Sequence, residues 1–578
     1  MHWREHWNRW KEAVGLDKQL KEQLASIEGD EAVLEDSFYK YLEFGTGGMR
    51  GEIGPGTNRM NRYTIRRAAE GLARYIEDHG SEAKEKGVVI AFDSRHYSYD
   101  FAMEAALTLG AHHIQSYIFQ ELRPTPELSY AVRYLQAFAG IMITASHNPP
   151  EYNGFKVYGE DGGQVPPEPA KELIEKVESV KDELAVETAD ENELKASRLL
   201  KVIGEEIDHA YNNELQTIMM NPELVQEKGE NLSIVFTPLH GTANIPVTRL
   251  LETSGFPNVH LVQEQAMPDP EFSTVNSPNP EEKAAFDAAI EEGKQHGADI
   301  LIATDPDADR IGIAALDPNG KYELLTGNQT GALMLEYLLS QRWEQKTLPE
   351  NGIVMKTIVT SELGRAVAEH YGQTILDTLT GFKFIGEKIK QFEQNGSYQF
   401  QFGYEESYGY LISEFVRDKD AVQAALTAAE MALWYKMQGK TLHDGLGDIF
   451  EKYGCYKETL DSLTLKGIEG VRKIETLLKE FRESPPEMLN EQEVAVIEDY
   501  QTQERAYVQE SRKEKIELPV SNVLKYIAAD GSWCCIRPSG TEPKIKFYFG
   551  VKENTEEKAE EKLQQLKREV MEKAHQYS

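Results

Sequence analysis

Short apolar runs that break off into polar, glycine- or proline-bearing turns recur along the chain, and they recur in pairs. Residues 88–92 and 141–144, 232–236 and 300–304, and 353–355 and 398–402 read as strands, because each is a brief apolar stretch bounded by turn formers. The members of a pair stand far enough apart for intervening helices, and helical patterning is visible at 101–109 and 421–437. Strands connected by helical crossovers predict three related mixed-sheet α/β units. Past Gly454 the pattern changes. A charged, helix-like stretch, a break at Ser484-Pro485-Pro486, a group of short antiparallel-looking strands and an amphipathic helix from Thr555 onward predict a separate C-terminal α+β domain. A length of 578 residues exceeds what one core organises, and the expected domains are 1–205, 206–318, 319–452 and 453–578.

The candidate chemistry sits where the apolar runs end. Residues 139–143 lead into Thr144-Ala145-Ser146-His147-Asn148-Pro149-Pro150, in which the prolines forbid a following helix. The expectation is an exposed Ser146 hydroxyl on a loop held by the strand, able to carry a phosphoryl group; an ordinary strand-to-loop turn is the plainer reading of Ser-His alone. A second run, 298–303, enters Asp305-Pro306-Asp307-Ala308-Asp309-Arg310. Three carboxylates at alternate positions of an extended stretch would share one side and call for a hard divalent cation, magnesium being the natural one. A calcium loop of the EF-hand type would want glycine and glutamate where Arg310 and Leu316 stand, and a solvated acidic turn would not need the apolar run before it. Three Asp leave a coordination position for a phosphate oxygen on Ser146, which joins the two loops into one phosphoryl-transfer proposal.

Two further loops fit that chemistry. Gly403-Tyr404-Glu405-Glu406-Ser407-Tyr408-Gly409 offers a carboxylate and a hydroxyl, Glu405 and Ser407, suited to sugar hydroxyls, although Glu-Glu-Ser is common on surfaces. Arg537-Pro538-Ser539-Gly540-Thr541-Glu542-Pro543 supplies a guanidinium, hydroxyls and a glycine-exposed amide, a phosphate cradle denser in anion-binding groups than a proline-bounded hairpin requires.

Taken in order, the four loops resemble those of the α-D-phosphohexomutases, and of the bacterial α-phosphoglucomutase branch in particular. The stretch Phe44-Gly45-Thr46-Gly47-Gly48-Met49-Arg50-Gly51 is similar as well, and the resemblance spans essentially the whole chain. It implies α/β domains around a central cleft and interconversion of α-D-glucose 1-phosphate and glucose 6-phosphate. The implied route runs through phosphorylated Ser146 and a glucose 1,6-bisphosphate intermediate, which also serves as activator. Magnesium would sit on Asp305, Asp307 and Asp309 with the Ser146 phosphate. Arg537, Ser539, Gly540 and Thr541 would grip the non-reacting phosphate, and Glu405 and Ser407 the sugar. Arg50 resembles the family arginine that steadies the serine loop, and Lys156 the family lysine nearby. As general base, Lys156 and His147 stand equal. Some members carry a histidine after the sugar loop, where this chain has Tyr408, Gly409 and Tyr410. Thr380-Gly381-Phe382-Lys383 and Arg417-Asp418-Lys419-Asp420 resemble the glucose-phosphate branch, although Ala421 replaces a glycine often found there. Mannose or pentose phosphates, or synthesis of the bisphosphate, are the alternatives within the family.

The net charge of −35 speaks against nucleic acid or an anionic membrane as partner. Because a phosphosugar is also an anion, the site must be locally basic, and Arg50, Lys156, Arg310, Lys383 and Arg537 lie in or beside the loops. Three cysteines, two of them adjacent, make no disulfide framework, and neither a signal-peptide core nor a bilayer-spanning run is visible, so a cytoplasmic enzyme with a small-molecule substrate and no obligate protein partner is expected. Two other classes compete. A haloacid-dehalogenase-like phosphatase would use Asp305 as nucleophile but wants Thr or Val at Asp309, and a non-catalytic sugar-phosphate sensor would need neither nucleophile nor metal triad.

Overall fold

The computed structural model describes residues 2–45, 47–465, 467–539 and 544–576. The chain divides into two compact units, the first comprising residues 1–330, 351–353 and 381–442, the second residues 331–350, 354–380 and 443–578.

The first unit carries two mixed sheets and a further hairpin. Its six-stranded sheet runs Gly48–Glu52, Tyr152–Gly159, Ala139–Ile143, Val88–Phe92, Ser116–Phe119, Leu200–Ile203. The last four of these are mutually parallel, whereas Tyr152–Gly159 runs antiparallel to both of its neighbours. Val88–Phe92 and Ala139–Ile143 are buried at every position because helices cover both faces, which is why they read as unbroken apolar runs and not as alternation. Where the edge strand closes on Tyr152–Gly159, a Cβ on Gly48 (φ +117°) would lie 2.0 Å from the carbonyl oxygen of Phe155, so only glycine fits. The five-stranded sheet runs Tyr322–Leu324, Ile311–Leu316, Ile300–Thr304, Ile234–Thr237, Val259–Leu261, again with antiparallel pairing on one side and parallel on the other.

In each case the predicted strand does not simply end in a loop. It turns back as a hairpin. Residues 144–151 connect Ala139–Ile143 to its antiparallel neighbour Tyr152–Gly159, residues 305–310 connect Ile300–Thr304 to Ile311–Leu316, and residues 406–408 connect Gln399–Glu405 to Gly409–Leu411. These three motifs are therefore hairpin connections, each with a non-glycine residue at positive φ, Ser146 at 51°, Ala308 at 54° and Tyr408 at 64°, and the fourth motif also lies between antiparallel neighbours, Trp533–Pro538 and Lys544–Glu553.

Three N-terminal helices, His2–Glu12, Lys18–Ile27 and Glu31–Phe38, escaped sequence reading. Trp3, Trp10, Leu20, Leu24, Leu34 and Phe38 form an apolar cluster with Tyr63, and the buried Glu183 carboxylate accepts from Arg9 and from Trp10 Nε1 at 2.6 Å. Helix Ala421–Lys436 is apolar nearly all round and correspondingly buried. Its N-cap Asp420 accepts from the amides of Val422 and Gln423 and from the Tyr211 hydroxyl at 2.7 Å. Burial pushes the Asp420 carboxyl up to about 6 in spite of these donors. The folded chain thus holds a proton that an unfolded Asp, at about 3.9, releases. Stability contributed by the protonated form is present below pH 4 and falls as pH rises to about 6, by about 3 kcal/mol. Asp420→Asn keeps a capping oxygen and cannot ionise. Its unfolding free energy is expected to rise relative to the parent by about that amount between pH 4 and pH 7, read from denaturant midpoints across the range.

The second unit is built on an antiparallel sheet in the order Cys455–Thr464, Lys544–Glu553, Trp533–Pro538, Leu524–Ala528, Gln492–Asp499, Glu504–Tyr507, Arg512–Lys515, with Met488–Leu489 paired to Gln492–Asp499. Helix Glu556–His575, the amphipathic helix expected from Thr555 onward, is capped by that threonine and lays Leu563, Leu566 and Val570 on the core. Among the described residues no helix is long and apolar enough to cross a membrane.

Candidate active site

The serine and aspartate hairpins of the first unit meet. Ser146 is 4% exposed, not the exposed hydroxyl expected from its loop-former neighbours, because its Oγ donates to Asp305 Oδ2 at 2.6 Å. Its amide is held by Thr144 Oγ1 at 2.9 Å, and His147 Nδ1 lies 3.3 Å from Oγ.

The three carboxylates converge, but not through alternation along an extended stretch. The 305–310 connection is a tight turn in which Ala308 takes the left-handed conformation and Asp305 Oδ1 accepts from the amides of Asp309 and Arg310 at 3.1 and 2.9 Å. Behind it, a Cβ on Gly241 would stand 2.4 Å from Pro306 Cα, so the turn leans on bare backbone. Asp307 Oδ2 accepts from Thr125 Oγ1 at 3.0 Å and Lys156 Nζ at 2.8 Å, while Asp309 Oδ2 pairs with Lys419 Nζ at 3.1 Å and Lys156 Nζ at 3.5 Å. One oxygen from each of the three Asp lies within 4.8 Å of the others, and Asp307 Oδ1 and Asp309 Oδ1 are buried with no hydrogen-bond partner. A buried cluster of carboxylates with acceptors left over is the donor set that a hard divalent cation requires, so the residues fit magnesium.

The electrostatics follow from this crowding. Burial, then Asp307 and Asp309, push the Asp305 carboxyl well above its usual range. Asp307 and Asp309 are also buried, yet Lys156 and Lys419 outweigh the burial and hold both below it. The same pairing raises Lys156 and Lys419 against their own burial, so both are ammonium ions. Burial, reinforced by Arg310 and Arg50, drives His147 well down, so its imidazole is neutral.

Arg50 Nη1 donates to Asn148 Oδ1 at 2.7 Å, which ties the 48–52 strand to the serine hairpin. Arg310 pairs with Glu281 as well as with Asp309, so its charge serves this cluster first. Glu405 ends its strand buried, and its Oε1 accepts from the amide of Gly381 at 2.9 Å. Ser407 lies in the turn beyond, and Lys383 in the first turn of helix Phe382–Asn395, its Nζ 5.3 Å from the Phe384 ring centroid. In the second unit, Thr380 Oγ1 is buried without a partner, Arg537 lies near the end of strand Trp533–Pro538 opposite Lys546, and the amide of Ser539 donates to Lys544 O at 2.7 Å. Gly540 and Thr541 lie outside the described residues, as does Thr46.

Sequence reading missed Thr125, Glu281 and the counter-charge role of Lys419. Thr125 follows a proline at a helix start, and nothing in its spacing points at Asp307. Lys419 stood in a segment read only for sugar preference.

Models of all four domains of the phosphoglucomutase/phosphomannomutase family match in chain order: the alpha/beta/alpha domains I, II and III over residues 41–183, 209–318 and 326–453, and the C-terminal domain over 487–571. The chain belongs to this family. It is a mutase, built as three mixed-sheet α/β domains and a C-terminal domain. A phosphoglucomutase of Staphylococcus aureus is 40% identical over 538 residues, 93% of either chain, and one of Staphylococcus haemolyticus is 39% identical over 89% of this chain and 91% of its own. Among solved structures, the exocytosis-sensitive phosphoprotein parafusin (phosphoglucomutase) of Paramecium superposes with a TM-score of 0.69 at 18% identity over 93% of this chain and 96% of its own. A family protein of Burkholderia thailandensis superposes with a TM-score of 0.62 at 17% identity over 92% of this chain and 97% of its own. These two likenesses speak for the fold of this mutase family, and the staphylococcal ones reach further.

Proposed function

We propose that the chain interconverts α-D-glucose 1-phosphate and glucose 6-phosphate, with Ser146 as the residue that gives and takes the phosphoryl group and glucose 1,6-bisphosphate as intermediate and activator. One observation carries this reading: the Ser146 hydroxyl donates directly into a buried triad of carboxylates that has acceptor oxygens to spare. Asp305, Asp307 and Asp309, with an oxygen on Ser146, would hold magnesium. When bound there the ion supplies positive charge against the oxygens of a transferring phosphoryl group.

The remaining work falls to side chains of this chain. The transfer forms a bond between the attacking sugar oxygen and phosphorus, breaks the bond from phosphorus to Ser146 Oγ, and passes one proton from the sugar hydroxyl to Ser146. Of the two candidates for moving that proton, His147, neutral and 3.3 Å from Oγ, stands on the Ser146 side, and Lys156, an ammonium ion held by Asp307, has a proton to give. Glu405, presented with Gly381, would orient sugar hydroxyls together with Ser407, Thr380 and Lys383, and Arg537, Ser539, Gly540 and Thr541 would hold the phosphate that does not react. Arg310 and Arg50 complete the basic surroundings of the reacting group. The cysteines Cys455, Cys534 and Cys535 are buried and form no disulfide, which supports a reducing compartment such as the cytoplasm.

The test is conversion of α-glucose 1-phosphate to glucose 6-phosphate with magnesium and a trace of glucose 1,6-bisphosphate, run beside mannose 1-phosphate. Glucose 1-phosphate is expected to react with a kcat/KM at least about tenfold higher, since a site that hydrogen-bonds hydroxyls discriminates epimers. Equal or better use of mannose 1-phosphate would move the assignment to the mannose branch.

A further inference from the structure

Ser146 stands in a backbone conformation that it would not choose. With φ at 51° a non-glycine residue carries about 1–2 kcal/mol of strain, and relaxation would swing its carbonyl and move Oγ away from Asp305. Something must hold the loop in place. Arg95, on the connection after strand Val88–Phe92, has a fully buried side chain whose guanidinium reaches four carbonyls of the serine hairpin. Nη1 donates to Pro149 O at 2.7 Å and Tyr152 O at 3.1 Å, while Nη2 donates to Ser146 O at 2.5 Å and to Asn148 O.

Arg95 is itself fixed. Asp93 Oδ1 accepts from the Arg95 amide at 2.9 Å and from Ser98 Oγ at 2.7 Å, and Asp93 Oδ2 lies 3.3 Å from Nε. Ser98 Oγ in turn accepts from Asn153 Nδ2 at 3.0 Å, and Asn153 Oδ1 from the amide of Gly154 at 2.7 Å. The face of Arg95 is covered by the Phe272 ring, 4.9 Å away. A rigid planar fork with five donors can satisfy four divergent carbonyls at once, whereas a lysine ammonium in the same place has one nitrogen and three donors.

We infer that Arg95 is the positioning residue of the phosphoryl-carrying loop: its guanidinium pins the carbonyls of Ser146, Asn148, Pro149 and Tyr152 and so holds Ser146 Oγ in line for transfer. The inference rests on the phosphoserine reading above. It touches neither sugar nor the reacting atoms directly, and its effect therefore belongs to the transfer step and not to substrate affinity.

The loading step isolates that effect. Ser146 Oγ bonds to phosphorus of glucose 1,6-bisphosphate, the bond from phosphorus to the sugar oxygen breaks, and the serine proton ends on the sugar hydroxyl so released. Arg95→Lys, which keeps charge and most of the volume, is expected to fold with a lowered thermal midpoint, since it leaves buried carbonyls unpaired, and the kinetic readouts are taken well below that midpoint. Loading of Ser146, followed by intact-protein mass after rapid quenching, and kcat are each expected to fall about 100-fold, the cost of a misplaced reacting atom. KM for α-glucose 1-phosphate should stay within about twofold, because uniform binding is untouched. In Arg95→Ala, millimolar methylguanidinium should restore part of the loading rate, which neither potassium nor methylammonium does. Loading by Arg95→Lys within about threefold of the parent would overturn the inference, since charge alone would then suffice. A raised KM at unchanged kcat would overturn it too. If the parent chain itself takes no phosphoryl group on Ser146, the phosphoserine reading fails first, an outcome distinct from equal loading in parent and variant.

Discussion

Ser146→Ala is expected to lower mutase turnover by about 10⁴-fold or more while leaving the chain folded. The loss is large because a methyl group can neither accept nor return a phosphoryl group, and no neighbouring hydroxyl replaces it. Thr144 Oγ1 is already engaged by the Ser146 amide, and Thr125 Oγ1 by Asp307. The fold should survive for a reason different from the one the sequence offers. An exposed hydroxyl would have contributed nothing, but this one is buried and donates to Asp305 Oδ2. Removing it withdraws a donor from a buried carboxylate, which costs about 1–3 kcal/mol. That cost is partly recovered because Asp305 already binds two backbone amides through its other oxygen. Alanine bears the same left-handed strain as serine at φ 51°, so no further backbone cost arises. Turnover, circular dichroism and the thermal midpoint measured together check both halves. Near-normal turnover in the folded variant would sink the phosphoserine reading.

The buried strands of the site were legible because helices cover both of their faces, so their sequences are apolar without interruption. The residues that close each strand were legible because loop chemistry is local: proline, glycine and clustered carboxylates announce themselves within a few positions. What the chain alone could not convey is how each connection turns. Ala308 and Ser146 both take positive φ, a conformation that their side chains do not favour and no composition rule marks. The convergence of Asp305, Asp307 and Asp309 therefore came out right for a wrong reason, an extended alternation in place of a turn. Partners separated by more than a hundred residues were equally invisible. Thr125 reaches Asp307, Lys419 reaches Asp309 and Arg9 reaches Glu183 only because sheets and helices bring them together. The N-terminal helices were overlooked because their apolar positions, Trp3, Trp10, Leu20 and Leu24, are spread among charged residues and become a face only once wound.

Stripping divalent cations with a chelator is expected to cut turnover by at least about a hundredfold, and magnesium to restore it, since metal charge at a transferring phosphoryl group is worth several kcal/mol. The chain should nevertheless stay folded when stripped. Lys156 and Lys419 already neutralise Asp307 and Asp309, and Asp305, pushed up by burial and its neighbours, can take a proton. What the lysines do not satisfy are Asp307 Oδ1 and Asp309 Oδ1, buried and without hydrogen-bond partners, the latter only 3.9 Å from Arg310 Nε. Binding energy is therefore available to the cation, and it appears as stability: at a free magnesium concentration a hundred times the dissociation constant, the first unit gains about 2.7 kcal/mol. A rise in its thermal midpoint with magnesium, lost in Asp307→Asn and Asp309→Asn alike, would tie the cation to this triad independently of turnover. The alternative is a closed ion-pair network in which Lys156, Lys419 and Arg310 supply the counter-charge and no cation enters. In that case the midpoint is indifferent to magnesium, and Asp309→Asn destabilises the chain by leaving Lys419 with Asp418 as its remaining partner, 3.3 Å away. The two arrangements thus differ in the response to magnesium and not in the stripped chain, where removing either carboxylate leaves a buried ammonium less well paired in both: only a magnesium site gives a midpoint that rises with the ion and a rise that the substitution abolishes.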